Sequence, residues 1–532
     1  MAVFQHRTPY NSLPGGTVAD VTDADTERLH ELGYAQELHR GMGTFSNFAI
    51  SFSIISILAG AITTFSLGML AGGPRMILIG WPIVGLMALA VGASMGEICS
   101  AYPTAGGLYY WSAKLARKNG AMWAWFTGWF NLVGQIGVIA SVDFALANYF
   151  LYSLKLLGWD SLRATKYTVF VTYLLMLTLH GIMNTYGVKL VKFFGDISVW
   201  WHVVGVAIIV VALLAAGKNR TGTTGLLDFK NSTGWSFPGS GLYVGLIGLL
   251  LAQYTITGFD ASAHVSEETT GAATSAPKAI VRSIYISAIA AFVMNLAMLI
   301  AIPKGKYDEI AAGGILAGGL VFTASLVGFL GKFLVIISTV GQFFCGMASV
   351  TANSRMIYAF SRDNGLPGSK YWHRINPKTR TPTNSLWLGV VLSMLAGLLT
   401  LIQTRKAFPV AFFALTGMCV VGLYISYVIP VFLRLRNPDF VQGPWNLGRR
   451  SKFIGWVSVL WVVIIGVVFF CPFFVPWNKW ETANLTGPVI LLIATVVGLT
   501  WISARKWFKG PKVQGTKEEL QAIERELTAL GG

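Results

Sequence analysis

Charge is scarce in this chain. Asp, Glu, Lys and Arg make up 12% of its 532 residues, about half the share a water-soluble domain carries, so an ordinary soluble fold is excluded. Acid is scarcer still: 23 acidic residues stand against 40 basic ones, for a net charge of +17. That excess is scattered over short connections instead of being gathered on a polar domain, which excludes a nucleic-acid-binding module. Cysteine is rare too. Cys99, Cys345, Cys419 and Cys471 each sit in an apolar run, with no CxxC and no Cys/His cluster. A zinc site is thereby excluded, and the four read as small buried hydrophobes. HExxH, a P-loop and a GxGxxG fingerprint in strand context are missing, so nothing points to an enzyme, a cofactor, a bound metal or an ATP-driven motor.

Apolar residues are what the chain has in plenty. They account for 54% of it, mean hydropathy is +0.60, and many of the 18 Trp lie near the ends of apolar runs, as an interfacial belt requires. A helix needs about 20 predominantly apolar residues to cross a bilayer. That criterion predicts an all-α integral membrane protein with about 12 transmembrane helices. They fall near 45–70, 76–101, 121–155, 166–186, 190–216, 242–266, 280–302, 316–358, 386–404, 407–433, 453–475 and 485–507. The third and eighth are long enough to be strongly tilted or to include a non-spanning piece. Residues 1–44 are polar and acid-containing, without the basic start and apolar core of a cleavable signal peptide, and are expected to form a cytoplasmic tail. Residues 508–532 hold an amphipathic helix candidate in GTKEELQAIERELTALGG. With both termini inside, 27 of the 40 basic residues fall in inner connections and 13 in outer ones. That asymmetry predicts cytoplasmic termini, and the chain is expected to be a multi-pass protein of the plasma membrane.

One stretch breaks the apolar pattern at membrane depth. TITGFDASAHVSEET, Thr255 to Thr269, continues the sixth span yet carries Gly258, Asp260 and His264. Irregular backbone at that depth is tolerated only where it is buried in protein or lines a wet cavity, and Gly258 is the expected break. The first span, ISFSIISILAGAITTFSLGML, is rich in Ser, Ala and Gly around Ser56 to Ala61, with Gly60 as its weak point. Five helices separate the two starts, so these broken helices run in opposite directions, the pattern of a five-plus-five inverted repeat with a site at the midplane. Half-helix N-termini suit a carboxylate and exposed carbonyls suit an ammonium. Two such breaks are built for a zwitterion, unless the glycines serve only close helix packing.

TGFDASAHVSEETTGAATSAPKAI resembles the sixth-helix signature of the amino acid–polyamine–organocation transporters, nearest the amino acid/choline branch with its 4-aminobutyrate and choline permeases. Its triplet Gly258-Phe259-Asp260 stands at the break, followed by Glu267 and Ala276-Pro277-Lys278. GEICSAYPTAGGLYYW (Gly96 to Trp111) and SRMIYAFSRDNGLPGS (Ser354 to Ser369) match further segments, and the likeness runs from about Arg40 to Lys509. The resemblance implies a leucine-transporter-like fold, with repeats at 45–216 and 242–433 and helices 11 and 12 within 453–507. Substrate would lie between broken helices 1 and 6, with walls from helices 3, 8 and 10. Carried over by position, Ile57, Leu58, Ala59, Gly60 and Ala61 would meet a carboxylate. Thr257, Gly258, Phe259 and Asp260 would meet an amine and supply an aromatic lid. Sodium-independent members often place a lysine on helix 5 where a sodium ion would sit; counting from the Gly187 turn, that position falls on His202. A histidine there can couple transport to protons, or merely bond a neighbouring carbonyl.

Other polar residues at membrane depth are functional candidates because each is costly there. His264 lies at i+4 from Asp260 and can pair with it. Glu97 would tie the end of helix 2 to a neighbour, and Asp143 is open to a place near the outer interface. Asn131 and Gln135 share a face of helix 3, which makes Gln135 a candidate substrate contact or an interhelical bond. The reading is a secondary transporter importing a small amino acid such as 4-aminobutyrate, with protons as the coupling ion. A polyamine, choline or ethanolamine carrier, an exchanger and, more distantly, a channel remain alternatives.

Overall fold

The computed structural model describes residues 18–186, 188–218, 220–402, 410–479 and 482–531. Gly187, the first part of the expected N-terminal tail and the start of the tenth predicted span lie outside them. Among the described residues, regular structure is helical apart from four isolated bridges. The first span, α1, is built of Thr44–Ile54, a π-helical turn Ile57–Ala61 and Phe65–Leu70. Then come α2 (Gly73–Ala101), α3 (Gly120–Leu156), α4 (Lys166–Thr185) and α5 (Val188–Ala216). The sixth, α6, is again in pieces: Ser240–Gly248, Leu250–Thr255 and Ala261–His264. It is followed by α7 (Ala272–Ala301), α8 (Phe329–Arg362) and α9 (Thr383–Ala396, extended by Gly397–Leu401). The last three are α10 (Val410–Leu435), α11 (Ser451–Phe470) and α12 (Thr486–Ala504). Eleven of these are long and apolar enough to cross a bilayer by length and composition; α6 completes twelve, its length divided by its break.

The long run 316–358 includes a non-spanning piece, one of the two readings its length allowed: it is two helices, Ala317–Ser325 and α8. They are separated at Gly328, whose φ of +71° a residue with a Cβ adopts only under strain. The predicted start at 280 falls inside α7, which begins at Ala272; Thr274, Ser275 and Lys278 hide its first turns from a hydropathy scan. The long third span is a single helix of 37 residues.

The connections alternate between two faces. The N-terminal helix Val18–Glu31 and the C-terminal helix Lys517–Gly531 meet through His30 Nε2 and Glu524 Oε1 at 2.7 Å. On this terminal face lie the α2–α3 connection (Tyr110 donates to the Leu32 carbonyl), the α6–α7 turn (Met42 bridges Thr269) and the α8–α9 connection (Tyr34 donates to Asp363). The opposite face gathers the α1–α2, α5–α6, α7–α8 and α11–α12 connections, joined by Gly72–Lys230, Thr221–Ile302 and Val475–Thr233 bonds. Residues 18–44 are not a free tail: Leu29, Leu32, Tyr34 and Leu38 are buried, because their apolar side chains cover the terminal ends of the spans.

Small residues set the closest approaches. A Cβ on Gly422 of α10 would come within 2.9 Å of the Gly134 backbone on α3, and one on Gly137 within 2.7 Å of Cys419 N. These contacts bring two spans together without a driving force from water, and they put Asn131 and Gln135 opposite Tyr427. Helices α1 and α6 run antiparallel. Asn47 bonds Thr269 and Ser262, Ser51 bonds the Phe259 carbonyl, Gly60 faces Thr255 and Gly68 faces Leu251, so partner numbers fall as α1 advances.

Candidate functional site

Both antiparallel helices are broken at the same depth. In α1 the helix ends at Ile54. Ile55 (ψ 53°) and Ser56 (ψ 110°) are non-helical, and Ser56 Oγ caps the following π turn by accepting from the Ala59 N–H at 3.1 Å. The break therefore lies just before the predicted weak point. Gly60 is inside the turn, and its lack of a side chain serves close packing: a Cβ there would come within 2.7 Å of Thr255 Oγ1. In α6 the helix ends at Thr255, and Gly258 has φ +96°, where a Cβ would lie 2.4 Å from Ile54 Cγ2. Only glycine fits.

The breaks border a small cavity of about 20 Å³ in this conformation, room for little more than one water molecule. Ile54, Ser56, Ala59 and Gly60 line it from α1; Tyr254, Thr255 and Thr257 line it from α6. Val138 and Val142 of α3, Cys345 of α8 and Cys419 of α10 complete the wall. No lining side chain is charged. The polar side chains are engaged already: Tyr254 OH with Ser141 Oγ at 2.9 Å, Thr257 with the Gln253 carbonyl at 2.6 Å, Cys345 with the Ile54 carbonyl at 3.3 Å. The Ala59 and Gly60 N–H groups are bonded to Ser56 and the Gln253 carbonyl to Thr257, so charge brought into this space would meet the dipoles of the two helix ends, positive at the π turn and negative at the end of the first half of α6.

Of the residues expected at the site, Ala59, Gly60 and Thr257 line the cavity. Ile57, Leu58 and Ala61 are buried in the same turn, but Leu58 points away, against Gly205 of α5 and Gly341 of α8. Phe259 does not close over the cavity; its ring packs on Tyr427 at 4.9 Å and edge-on to Tyr424, forming a layer on the terminal side. Sequence reasoning missed Tyr254, Val138, Val142, Cys345 and Cys419 as lining. Val138 and Val142 continue the Asn131–Gln135 stripe at helical spacing, a signal that was present. Nothing local distinguishes Cys345 and Cys419 from ordinary core.

Asp260 and Gln135 lie in that terminal-side layer, off the cavity. Asp260 Oδ2 accepts from Asn131 Nδ2 (3.1 Å), Gln135 Nε2 (3.1 Å) and His264 Nε2 (3.2 Å), and Oδ1 accepts from Tyr427 OH (2.6 Å). The carboxylate, expected to meet an amine, is thus fully engaged by three helices in this conformation. His264 Nδ1 faces the Ala105 carbonyl at 3.1 Å. That nitrogen must carry a proton, and the proton between Nε2 and Oδ2 is shared by the pair.

His202 is buried on α5 beside the α1 break. Its Nδ1 faces the Ser198 carbonyl at 2.8 Å, so it donates there, and Nε2 pairs with the Ser56 hydroxyl at 2.7 Å. The ring is thereby tied to the residue that caps the π turn. Asp143, for which an interface position was open, is instead fully buried against His180 of α4.

Below the cavity the terminal face is locked by charge. Glu268 takes both Arg355 Nε (2.7 Å) and Nη2 (3.0 Å), Glu267 takes Arg362 and the Ala105 N–H, and Arg362 lies 3.8 Å over the Tyr34 ring. Glu97 ties the end of α2 to Arg434 and Ser451. GASMG, Gly92 to Gly96, has Gly-x-Ser-x-Gly spacing, yet it lies within the continuous α2 with Ser94 Oγ against Ser458, so no nucleophile elbow forms.

A family model described as amino acid permease matches residues 42–499. The chain is 39% identical over 519 residues to a rice protein named amino-acid permease BAT1 homolog, covering 94% of this chain and 98% of the relative. It is 39% identical over 510 residues to amino-acid permease BAT1 of Arabidopsis thaliana, covering 92% and 97%. A Candida albicans protein named as a polyamine transporter is 29% identical over 523 residues, covering 94% and 92%.

Proposed function

The chain belongs to the amino acid permease family, and from that premise we propose that it imports a small amino acid, such as 4-aminobutyrate, across the plasma membrane in symport with protons. The observation that carries this reading is the meeting of two antiparallel helix breaks on one small space without a charged wall, which must widen to admit substrate as α1 and α6 move. A zwitterion supplies both signs of charge itself, and its carboxylate and ammonium match the positive helix end at the π turn of α1 and the negative one at the end of the first half of α6. An organocation would want a carboxylate on the cavity, and Asp260 is engaged by four donors outside it.

Transport proceeds by alternating access. The unit of α1, α2, α6 and α7 rocks against α3, α8 and the remaining scaffold, and both termini stay on the cytoplasmic side. The contacts that must part are the bonds of Asp260 to α3 and α10 and the three arginine pairs of the terminal face. His202 senses protons at the α1 break through Ser56, and Asp260 shares a proton with His264, so both lie where protonation alters how α1 and α6 dock.

Uptake of labelled 4-aminobutyrate into proteoliposomes of purified protein, under an inward proton gradient with and without sodium, tests the reading. Uptake that follows the proton gradient, ignores sodium and is competed by small amino acids supports it. Counterflow with polyamines or choline but not with amino acids replaces the substrate assignment with an organocation, the reading suggested by the Candida albicans relative. Asp260→Asn protein with wild-type uptake and pH dependence removes Asp260 from the coupling role.

A further inference from the structure

Seven acidic side chains are buried among the described residues, and six receive hydrogen bonds. Asp260 has four donors, Glu97 and Glu267 each have an arginine and further donors, Glu268 has a two-pronged arginine, Asp363 has Tyr34, Tyr109 and Lys512 N, and Asp25 has Gly271 N. Asp143 differs. Both of its oxygens lack a hydrogen-bond partner, and so do both ring nitrogens of His180. The two groups approach at 2.9 Å, Nδ1 to Oδ1, without hydrogen-bond alignment, and each side chain is 0% exposed. A buried carboxylate normally has its lone pairs filled, so this pair is an exception that needs a reason.

Its position suggests one. Val142 and Cys345 line the cavity, and their sequence neighbours Asp143 and Gly346 lie directly behind that wall. Gly346 leaves the space the pair occupies: a Cβ there would come within 2.6 Å of His180 Cε1 and 2.9 Å of Asp143 Oδ2. The other titratable groups in the field of Asp143 are Tyr173 of α4, Tyr254 of α6 and Cys345 of α8. None of these is ordinarily charged near neutral pH. No basic side chain other than His180 pairs with Asp143 among the described residues. Asp260, by contrast, already has four donors on its carboxylate, and both nitrogens of His202 are bonded.

We propose that the Asp143–His180 pair is a proton-binding site of the transport cycle. It deepens the proton-coupled reading above and rests on it. The pair holds one proton between carboxylate and imidazole. It takes a second when substrate enters the adjacent cavity from the proton-rich side, giving a neutral Asp143 beside a cationic His180, and returns that proton to water on the other face. Its lack of fixed partners is what lets its proton count change.

The test is substrate exchange at fixed pH on both sides, between pH 5 and 8, together with accumulation under a proton gradient, in wild-type and variant proteoliposomes. Exchange needs no net proton movement, so a wild-type protein that exchanges nothing fails the permease reading, and one that exchanges but ignores the gradient fails the coupling reading. Given both activities, replacing the pair together as Asp143→Asn with His180→Gln leaves no stranded charge. Exchange is then expected to persist while accumulation is lost, and the pH dependence of the exchange KM, about tenfold per pH unit for one linked proton, flattens to less than twofold. Retained accumulation with a wild-type pH profile overturns the proposal. Gly346→Ala keeps both titrating groups while displacing them, and covers the case in which the double variant does not fold. It is expected to shift the pH midpoint, and an unchanged midpoint in that protein overturns the proposal equally.

Discussion

Asp260→Asn offers a quantitative check on the layer that docks α6 against the scaffold. The amide can keep one oxygen toward Asn131, Gln135 and His264, while its NH2 turns toward Tyr427, whose hydroxyl rotates to accept. No donor to that oxygen is stranded, but all four bonds lose their charge assistance. A bond to an ionised acceptor contributes about 1.5–3 kcal/mol against about 0.5–1.5 for a neutral one, so each loses about 1 kcal/mol. Three of the four run from α6 to α3 and α10. About 3 kcal/mol therefore falls on the docked conformation, enough to raise the population of the undocked form about 150-fold. Cys345 and Cys419 line the cavity and are each 1% exposed, so their reaction with a small maleimide reports that population once Cys99 and Cys471 are replaced by Ser. Labelling about 150-fold faster than wild type is expected. Asp260→Ala strands four donors at about 1–3 kcal/mol each and should be far more severe, beginning with poor recovery of folded protein. Labelling of Asp260→Asn within twofold of wild type, or an Asp260→Ala protein as mild as the amide, would refute the reasoning.

Other consequences can be measured alongside. Gly258→Ala combines a φ of +96° with a Cβ 2.4 Å from Ile54 Cγ2; exchange should fall at least tenfold, and adding Ile54→Ala should recover only the part due to the clash. Ser56→Ala removes the cap of the π turn, about 1 kcal/mol, so the substrate KM in exchange should rise about fivefold while Ser56→Thr stays near wild type. Arg355→Ala leaves Glu268 buried and unpaired, which costs about 3–5 kcal/mol and should lower the melting temperature in detergent sharply. Arg355→Met combined with Glu268→Gln should restore most of that loss.

What the sequence by itself determined is what depends on short stretches of chain. Length and hydropathy place the spans, and scarce charge makes lipid their solvent. Gly258 marks the break in α6 because backbone freedom is a property of a single residue, and the i+4 spacing brings His264 to Asp260 within one turn of helix. The excess length of the run 316–358 announced the non-spanning piece Ala317–Ser325 but not the break at Gly328, and Gly60 is a contact with Thr255, not the break in α1. The tertiary structure decided which side chains share a space. Cys345 and Cys419 line the cavity, Leu58 turns from it, Asp260 spends its lone pairs on α3 and α10, and Asp143 finds His180 across two helices. These depend on how far each helix slides and turns against its neighbours, which Gly134, Gly137 and Gly422 set by letting backbones touch. A contact between two spans is the product of both their rotations, and neither span's own sequence carries it.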